Sequence, residues 1–181
     1  MIAQSVGAVM VATWVHDYAP AIRGLVLASP AFKVKLYVPL ARPGLALWHR
    51  LRGLFFINSY VKGRYLTHDR QRVASFNNDP LITRAIAVNI LLDLYKTSER
   101  IVSDAAAITL PTQLLISGDD YVVHRQPQID FYQRLRSPLK ELHLLPGFYH
   151  DTLGEEKRAQ AFEKMQSFIS RLYANTVSYT H

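Results

Sequence analysis

The sequence predicts an α/β fold, in which a parallel sheet with flanking helices is interrupted by an inserted helical cap. Three short, continuous apolar runs predict buried parallel strands at residues 24–28, 112–117 and 141–145. Helical patterns alternate with these runs, as in proteins built on a parallel sheet. Residues 32–108 are too many for a simple crossover between neighbouring strands, so this segment is predicted to form the cap.

Apolar periodicity predicts the helices. Residues 6–18 are apolar almost all round, which predicts a buried helix, and Pro20 follows just beyond its end. Two further predicted helices, at residues 126–135 and 155–172, have apolar side chains on one face. The predicted cap has three helical patterns of its own, at residues 43–54, 70–76 and 80–102.

Composition narrows the functional classes. The chain has 181 residues, of which 49% are hydrophobic, and a mean hydropathy of +0.01, values typical of a folded globular protein. The lack of cysteine excludes disulfides and thiolate metal sites and is compatible with a reducing compartment. Residues 1–19 lack the basic start of a secretory leader, and no stretch approaches the ~20 apolar residues that span a bilayer. We therefore expect a cytoplasmic protein.

The positive charge is concentrated in the predicted cap. The net charge is +7, and residues 33–72 contain nine Lys or Arg and a single Asp. Such an excess favours an anionic surface or substrate, such as phospholipid headgroups. No nucleic-acid-binding motif accompanies the charge, so we expect no nucleic-acid partner.

Ser5 lies in a pattern typical of a nucleophile elbow. Ala3-Gln4-Ser5-Val6-Gly7 combines small residues two positions before and after a serine with a following apolar helix. The small residues are expected to let the strand and the helix approach closely. In the alternative interpretation, Ser5 is an ordinary helix N-cap. An elbow normally follows several strands, so this chain is expected to be the C-terminal part of such a domain.

An acid and a histidine follow the two later strands. Asp119 and Asp120 come directly after residues 112–117, and the aromatic residue and two valines that follow favour Asp120 as the acid of a catalytic triad. Alternatively, both aspartates cap the next turn. His150 lies in the loop after residues 141–145, where a general base could accept the serine proton; the alternative is an ordinary surface-loop histidine, which this position makes less favoured.

The order Ser5, Asp120, His150 is typical of one class of hydrolases, and all three follow strands whose carboxyl ends meet at one sheet edge. The histidines lack the spacing of metal ligands, so we predict neither a metal site nor a cofactor.

On these motifs the chain resembles the α/β-hydrolases of the monoacylglycerol lipase and lysophospholipase-like group, the serine aminopeptidase-like hydrolases. The resemblance extends to about Leu172. The matching runs are Ala3-Gln4-Ser5-Val6-Gly7, Leu25-Val26-Leu27-Ala28-Ser29-Pro30, Leu66-Thr67-His68-Asp69, Asn78-Asp79-Pro80-Leu81, Gly118-Asp119-Asp120 and Leu145-Pro146-Gly147-Phe148-Tyr149-His150-Asp151.

The resemblance implies an α/β-hydrolase fold with a cap, truncated before the elbow, that cleaves a small lipid or other carboxylic ester. It implies Ser5 as nucleophile, His150 as base, Asp120 as the acid that orients it, and the Val6 N–H in the oxyanion hole. Such holes use two backbone amides, of which only that of Val6 is present, so the isolated chain is expected to be inactive. A peptidase, a small-ester esterase and a non-catalytic interaction protein of the same fold remain alternatives.

Within the cap, bulky apolar residues alternate with arginines. Trp48, Leu54, Phe55 and Phe56 are expected to contact the substrate, in a lid that rests on an anionic membrane surface. An ordinary amphipathic helix packed on the core is the alternative. The expected organisation is hydrolase core, cap, hydrolase core and a non-native or frayed tail, at residues 1–31, 32–108, 109–173 and 174–181 respectively.

Overall fold

The computed structural model describes residues 1–36 and 40–177. Six helices and six strands cover most of these residues. In chain order they are β1 (Ile2–Gln4), α1 (Ser5–Tyr18), β2 (Leu25–Ala28), α2 (Ala41–Arg52), β3 (Phe56–Asn58), α3 (Arg70–Asn78), β4 (Ala85–Ala87), α4 (Val88–Ser103), β5 (Thr112–Ser117), α5 (Gln126–Arg134), β6 (Lys140–Leu145) and α6 (Ala159–Val177).

Four of the strands form one parallel sheet in the order β1-β2-β5-β6. Leu27 in β2 pairs with Ala3 in β1 on one side and with Leu114 in β5 on the other. All residues of β2 and β5 are buried, because both faces of these central strands are covered by helices. The three strands predicted from apolar runs are therefore confirmed, to within one residue at each end.

Helices cover the two faces of the sheet with separate apolar cores. On one face, Leu25 and Leu27 pack with buried residues of α1, α4 and α5. On the other face, Val26 and Ala28 pack with Ala161, Met165 and Phe168 of α6. Because the four strands run parallel, their carboxyl ends meet at one edge of the sheet, where the loops that carry Asp120 and His150 emerge.

The helix predicted at residues 80–102 is wrong in its first part. Residues 85–87 form β4, which pairs antiparallel with β3, and α4 begins only at Val88. The apolar run around Ile86 fits a strand as well as a helix, and the partner strand, with Ile57 opposite Ile86, decides between them. None of the helices in the described ranges is long and apolar enough to cross a membrane.

The last helix begins and ends later than predicted. It starts at Ala159 rather than at residue 155, because the Glu155 side chain is turned inward and bonded to another segment. It continues through Val177, so the first part of the predicted tail at residues 174–181 is helical. The remaining residues of that tail, 178–181, lie outside the described residues.

Candidate active site

Ser5 connects strand and helix within a single residue. Gln4 is still extended, with φ −129° and ψ 148°, whereas Ser5 has φ +56° and is the first residue of α1. A positive φ is uncommon for a residue other than glycine. The Ser5 carbonyl accepts a hydrogen bond from the Ala31 amide at 3.1 Å, which holds the turn against the loop after β2. The side chain therefore projects from a sharp turn at the carboxyl edge of the sheet, as an elbow requires.

Ser5, His150 and Asp120 form one continuous hydrogen-bonded chain. The Oγ of Ser5 lies 2.7 Å from Nε2 of His150, and Nδ1 of His150 lies 2.8 Å from Oδ2 of Asp120. His150 and Asp120 are both buried. Because the carboxylate can only accept, the proton of a neutral imidazole is on Nδ1, which leaves Nε2 free to accept the Ser5 proton.

Asp120 makes the hydrogen bonds that both alternative interpretations of the sequence require. Its Oδ1 accepts hydrogen bonds from the amides of Val122 and Val123, at 2.7 and 2.9 Å, and so caps the turn. Its Oδ2 faces His150. The backbone amide of Asp119 instead donates to the Phe148 carbonyl at 2.9 Å. This bond joins the loop after β5 (residues 118–125, the acid loop) to the loop after β6 (residues 146–158, the histidine loop).

The Val6 amide lies at the N-terminus of α1, next to Ser5. The first amides of a helix have no partner within the helix, and the helix dipole makes this end partially positive. No acidic residue occurs in the first turn of α1 to oppose that charge. An anion that develops beside Ser5 would therefore meet a favourable field and an available donor.

Two residues that the sequence analysis did not identify connect the elbow to the histidine loop. The Gln4 side-chain amide donates to Oδ1 of Asp151 at 2.9 Å, and its carbonyl accepts from the Leu153 amide at 3.0 Å. The other oxygen of Asp151 accepts from Nε of Arg72 at 3.0 Å. Nearly 150 residues separate Gln4 from Asp151, so no local pattern signals this contact.

The expected role of small residues around the elbow holds only in part. Ala3 packs against the core beside α1. At Gly7, in contrast, an added Cβ would meet no described atom within 4 Å, so no close approach of strand and helix requires glycine there.

A cavity of about 830 Å³ opens beside Ser5 and His150, a size within the usual range for small-molecule sites. Its walls are mainly apolar and come from α1, from β3 and β4, from α4 and from the acid loop. Representative lining residues are Val9, Ile57, Ile86, Leu91 and Val122.

The four cap residues predicted to contact substrate lie elsewhere. Trp48, Leu54, Phe55 and Phe56 are not among the described residues that line this cavity. Leu54 and Phe56 are 61% and 62% exposed, and Trp48 is also exposed. Because β3 pairs with β4, alternate residues of this strand face opposite sides, and Ile57 rather than Phe56 faces the cavity. Phe55 is half-buried, and the predicted substrate contact of these four side chains stays a prediction.

Comparison with known proteins decides the family. The family model described as "Serine aminopeptidase, S33" matches residues 1–157. The chain belongs to this family of hydrolases. The S33 chain is 95% identical over 175 residues to the uncharacterized protein YnbC of Escherichia coli (strain K12), a match that covers 97% of this chain and 30% of that protein. It is 25% identical to the phospholipase YtpA of Bacillus subtilis (strain 168), over 94% of this chain and 67% of that protein.

Solved structures of two lipases have the same fold. The monoacylglycerol lipase of Paleococcus ferrophilus superposes with a TM-score of 0.83 at 19% identity, over 93% of this chain and 67% of that chain. A soluble variant of the monoglyceride lipase of Saccharomyces cerevisiae, in complex with a substrate analogue, gives 0.84 at 16% identity, over 95% and 61%. The predicted α/β-hydrolase fold is thereby confirmed, and the S33 chain spans about two thirds or less of each of these proteins.

Proposed function

We propose that this S33 hydrolase cleaves carboxylic esters of the monoacylglycerol or lysophospholipid type, through an acyl-enzyme formed on Ser5. The observation that carries the proposal is the hydrogen-bonded series from Ser5 through His150 to Asp120, which begins at the wall of an apolar cavity. The geometry corresponds to a nucleophile, a base and an acid that orients the base.

In the proposed mechanism, Oγ of Ser5 attacks the ester carbonyl carbon while Nε2 of His150 accepts the serine proton. Asp120 keeps the imidazole in the required tautomer and stabilises the imidazolium. The Val6 amide donates to the oxyanion. His150 then gives the proton to the departing alcohol. A water molecule attacks the acyl-serine by the same route, which releases the carboxylic acid and restores Ser5.

An apolar acyl group fits the cavity beside the proposed nucleophile. Val9, Leu91 and Val122 line it together with Ser5 and His150, so an acyl chain could be desolvated while its carbonyl stays at Ser5. The names of the relatives point the same way, since one is a phospholipase and others are monoacylglycerol lipases. A peptidase or a small-ester esterase on this fold is the second candidate, because the same triad also cleaves amides and short esters.

The test is covalent labelling with a fluorophosphonate, of Ser5 in this chain and of its counterpart in full-length YnbC, followed by hydrolysis assays with the full-length protein on monoacylglycerols, lysophospholipids, short-chain esters and aminoacyl amides. The Ser5→Ala variant should lose both labelling and hydrolysis. Ser103→Ala, which removes an exposed hydroxyl at the end of α4, serves as the control. Labelling that persists in Ser5→Ala would reject Ser5 as the nucleophile, and absence of both labelling and hydrolysis in full-length YnbC would favour a non-catalytic role. Faster turnover of aminoacyl amides or short esters than of long acyl esters would favour the second candidate.

We also propose that the outer face of α2 rests on an anionic membrane surface. Leu47 and Leu51, one turn apart, are 61% and 70% exposed, and Arg50 and Arg52 flank them. An exposed apolar stripe beside arginines suits the boundary between lipid headgroups and acyl chains. The cytoplasmic location expected from the sequence stays a prediction.

A further inference from the structure

Glu155 is a buried carboxylate for which the mechanism above has no use. It is only 2% exposed and lies five residues after His150, just before α6. Burying a carboxylate is costly unless its oxygens are hydrogen-bonded. A buried acid this close to a catalytic base therefore needs a physical explanation.

Four N–H groups satisfy this carboxylate. Its Oε1 accepts from the Tyr149 amide and from Nδ1 of His68, both at 2.9 Å. Its Oε2 accepts from the amides of Glu156 and His68, at 3.0 and 3.2 Å. Because two of these donors belong to His68, the carboxylate joins the segment after β6 to a segment 87 residues earlier in the chain.

The hydrogen bond from the Tyr149 amide to Glu155 lies one residue before His150, the proposed base. Fixing the Tyr149 amide fixes the peptide from which His150 extends, and so restricts where the imidazole can lie. The Tyr149 ring is held as well: it packs on the His68 ring with centroids 3.8 Å apart and meets the Tyr121 ring edge-on at 5.0 Å. Tyr121 directly follows Asp120, so the same contacts brace the acid loop against the histidine loop.

Further bonds join the same two segments. The Asp151 amide donates to the Leu66 carbonyl at 2.7 Å, and the Thr67 hydroxyl donates to the Gly154 carbonyl at 3.0 Å. Residues 66–72 belong to the predicted cap, and residues 149–155 carry the base. Among the side chains that join residues 66–72 to residues 149–155, Glu155 makes more hydrogen bonds than the others just named. It also differs from them in being both charged and almost fully buried.

We propose that Glu155 is a positioning residue, which sets the orientation of His150 by fixing the Tyr149 amide and by joining the His150 loop to residues 66–72. This inference rests on the proposed hydrolase function, because it assigns Glu155 a role through His150. It predicts that changing the carboxylate disturbs the Ser5–His150–Asp120 geometry without any direct contact with the substrate.

The test compares Glu155→Gln with Glu156→Gln, which removes the same charge from an exposed neighbouring side chain. In Glu155→Gln an NH₂ group replaces one oxygen and meets N–H donors instead of offering them an acceptor. Two readouts are used: the low-field ¹H resonance of the His150 Nδ1–H, and the rate of Ser5 labelling by a fluorophosphonate. We expect the resonance to shift or broaden and labelling to slow by about tenfold or more, with Glu156→Gln unchanged.

A merely structural role would lower the melting temperature of Glu155→Gln but leave the His150 resonance and the labelling rate as in Glu156→Gln, and that result would overturn the proposal. If Glu155→Gln does not fold, Glu155→Asp keeps the charge but withdraws it from the Tyr149 amide, with Glu156→Asp as its control and the same two readouts. If the counterpart of Ser5 in full-length YnbC is not labelled, the proposed hydrolase function fails, while the resonance still supports or rejects the role of Glu155.

Discussion

At the scale of single residues, the site depends on a backbone conformation that is unfavourable for serine. The left-handed conformation costs roughly 1–2 kcal/mol for a residue with a side chain, and Ser5 adopts it with φ +56°. This conformation places Oγ of Ser5 2.7 Å from Nε2 of His150, while the next amide, that of Val6, lies at the start of α1. The proposed nucleophile and the proposed oxyanion donor are therefore neighbours in the chain, and the proposed base lies within hydrogen-bond distance of the nucleophile.

Substituting Asp120 tests its proposed role as the acid that orients His150. In Asp120→Asn an amide NH₂ can face Nδ1 of His150, which favours the other imidazole tautomer, with its proton on Nε2 facing Ser5. We expect the labelling rate of Ser5 to fall by about 10⁴-fold, since the base would no longer be free to accept. The measurement is the second-order rate constant with a fluorophosphonate, and Asp119→Asn is the matched control. Equal rates in the two variants would show that Asp120 is not the orienting acid.

Gly154 tests the contact between Arg72 in α3 and Asp151 in the loop that follows β6. A Cβ at this position would overlap both Oδ2 of Asp151 and Nε of Arg72, so both side chains would have to move. We expect Gly154→Ala to lower the free energy of unfolding by about 1–3 kcal/mol, measured by urea denaturation. Gly44→Ala in α2, where a Cβ meets no described atom within 4 Å, is the control. If the loss is as large when Arg72 is also replaced by alanine, the Arg72–Asp151 contact is not its cause.

At the scale of secondary-structure elements, the sequence predicted what local patterns encode. The strand at 112–117 was predictable because continuous apolar runs are typical of central parallel strands. Ser5, Asp120 and His150 could be selected because each follows a strand. The pairing of β3 with β4 and the bonds of Glu155 to His68 could not be predicted, because they depend on partners about 30 and 90 residues away.

The ends of α1 and α4 are joined by a charged cluster that makes stability depend on pH. Nδ1 and Nε2 of His16 lie 2.7 and 2.8 Å from carboxylate oxygens of Asp17 and Asp104, and Arg100 forms a two-bond pair with Asp17. Both imidazole nitrogens can donate only in the protonated form. Hydrogen bonds to Asp17 first, and then to Asp104, raise the pKa of His16 above its ordinary value, although burial partly opposes them.

The stabilisation that His16 provides decreases as the pH rises. Because the pKa of His16 is higher in the folded chain, its stabilisation is fully present below about pH 6.5 and is lost as the pH rises through the folded value. We expect His16→Gln to be less stable by about 0.5–1 kcal/mol in the acidic range, and the gap to close at higher pH. Thermal unfolding of both proteins from pH 5.5 to 9 measures this. A gap that does not vary with pH would mean that folding does not change the pKa of His16.

At the scale of the whole molecule, the chain spans 30% of the length of YnbC, and the sequence provides one of the two amides expected in the oxyanion hole. Loss of one such donor slows comparable enzymes by about 10²–10³-fold. We therefore expect Ser5 in the isolated chain to react with a fluorophosphonate slower by that factor than its counterpart in full-length YnbC. Ser5→Ala gives the background rate for the chain. Equal rates in the two proteins would mean that the described residues already form a complete site.

Membrane contact is the remaining prediction for the whole molecule. The exposed stripe of Leu47 and Leu51 lies beside Arg50, in the stretch where nine of the chain's basic residues are concentrated. Each arginine near an anionic surface contributes about 1 kcal/mol, roughly fivefold in affinity, and salt screens this attraction. In vesicle flotation at low salt we expect binding to phosphatidylserine-containing vesicles, weaker binding to neutral vesicles, and about fivefold weaker binding for Arg50→Gln.

Arg136→Gln, an exposed arginine outside that stretch, should bind as the unsubstituted chain does. Leu51→Glu should weaken binding even to neutral vesicles, because it removes apolar surface from the stripe. Equal effects of Arg50→Gln and Arg136→Gln would show that net charge, rather than the face of α2, attracts the chain to the membrane.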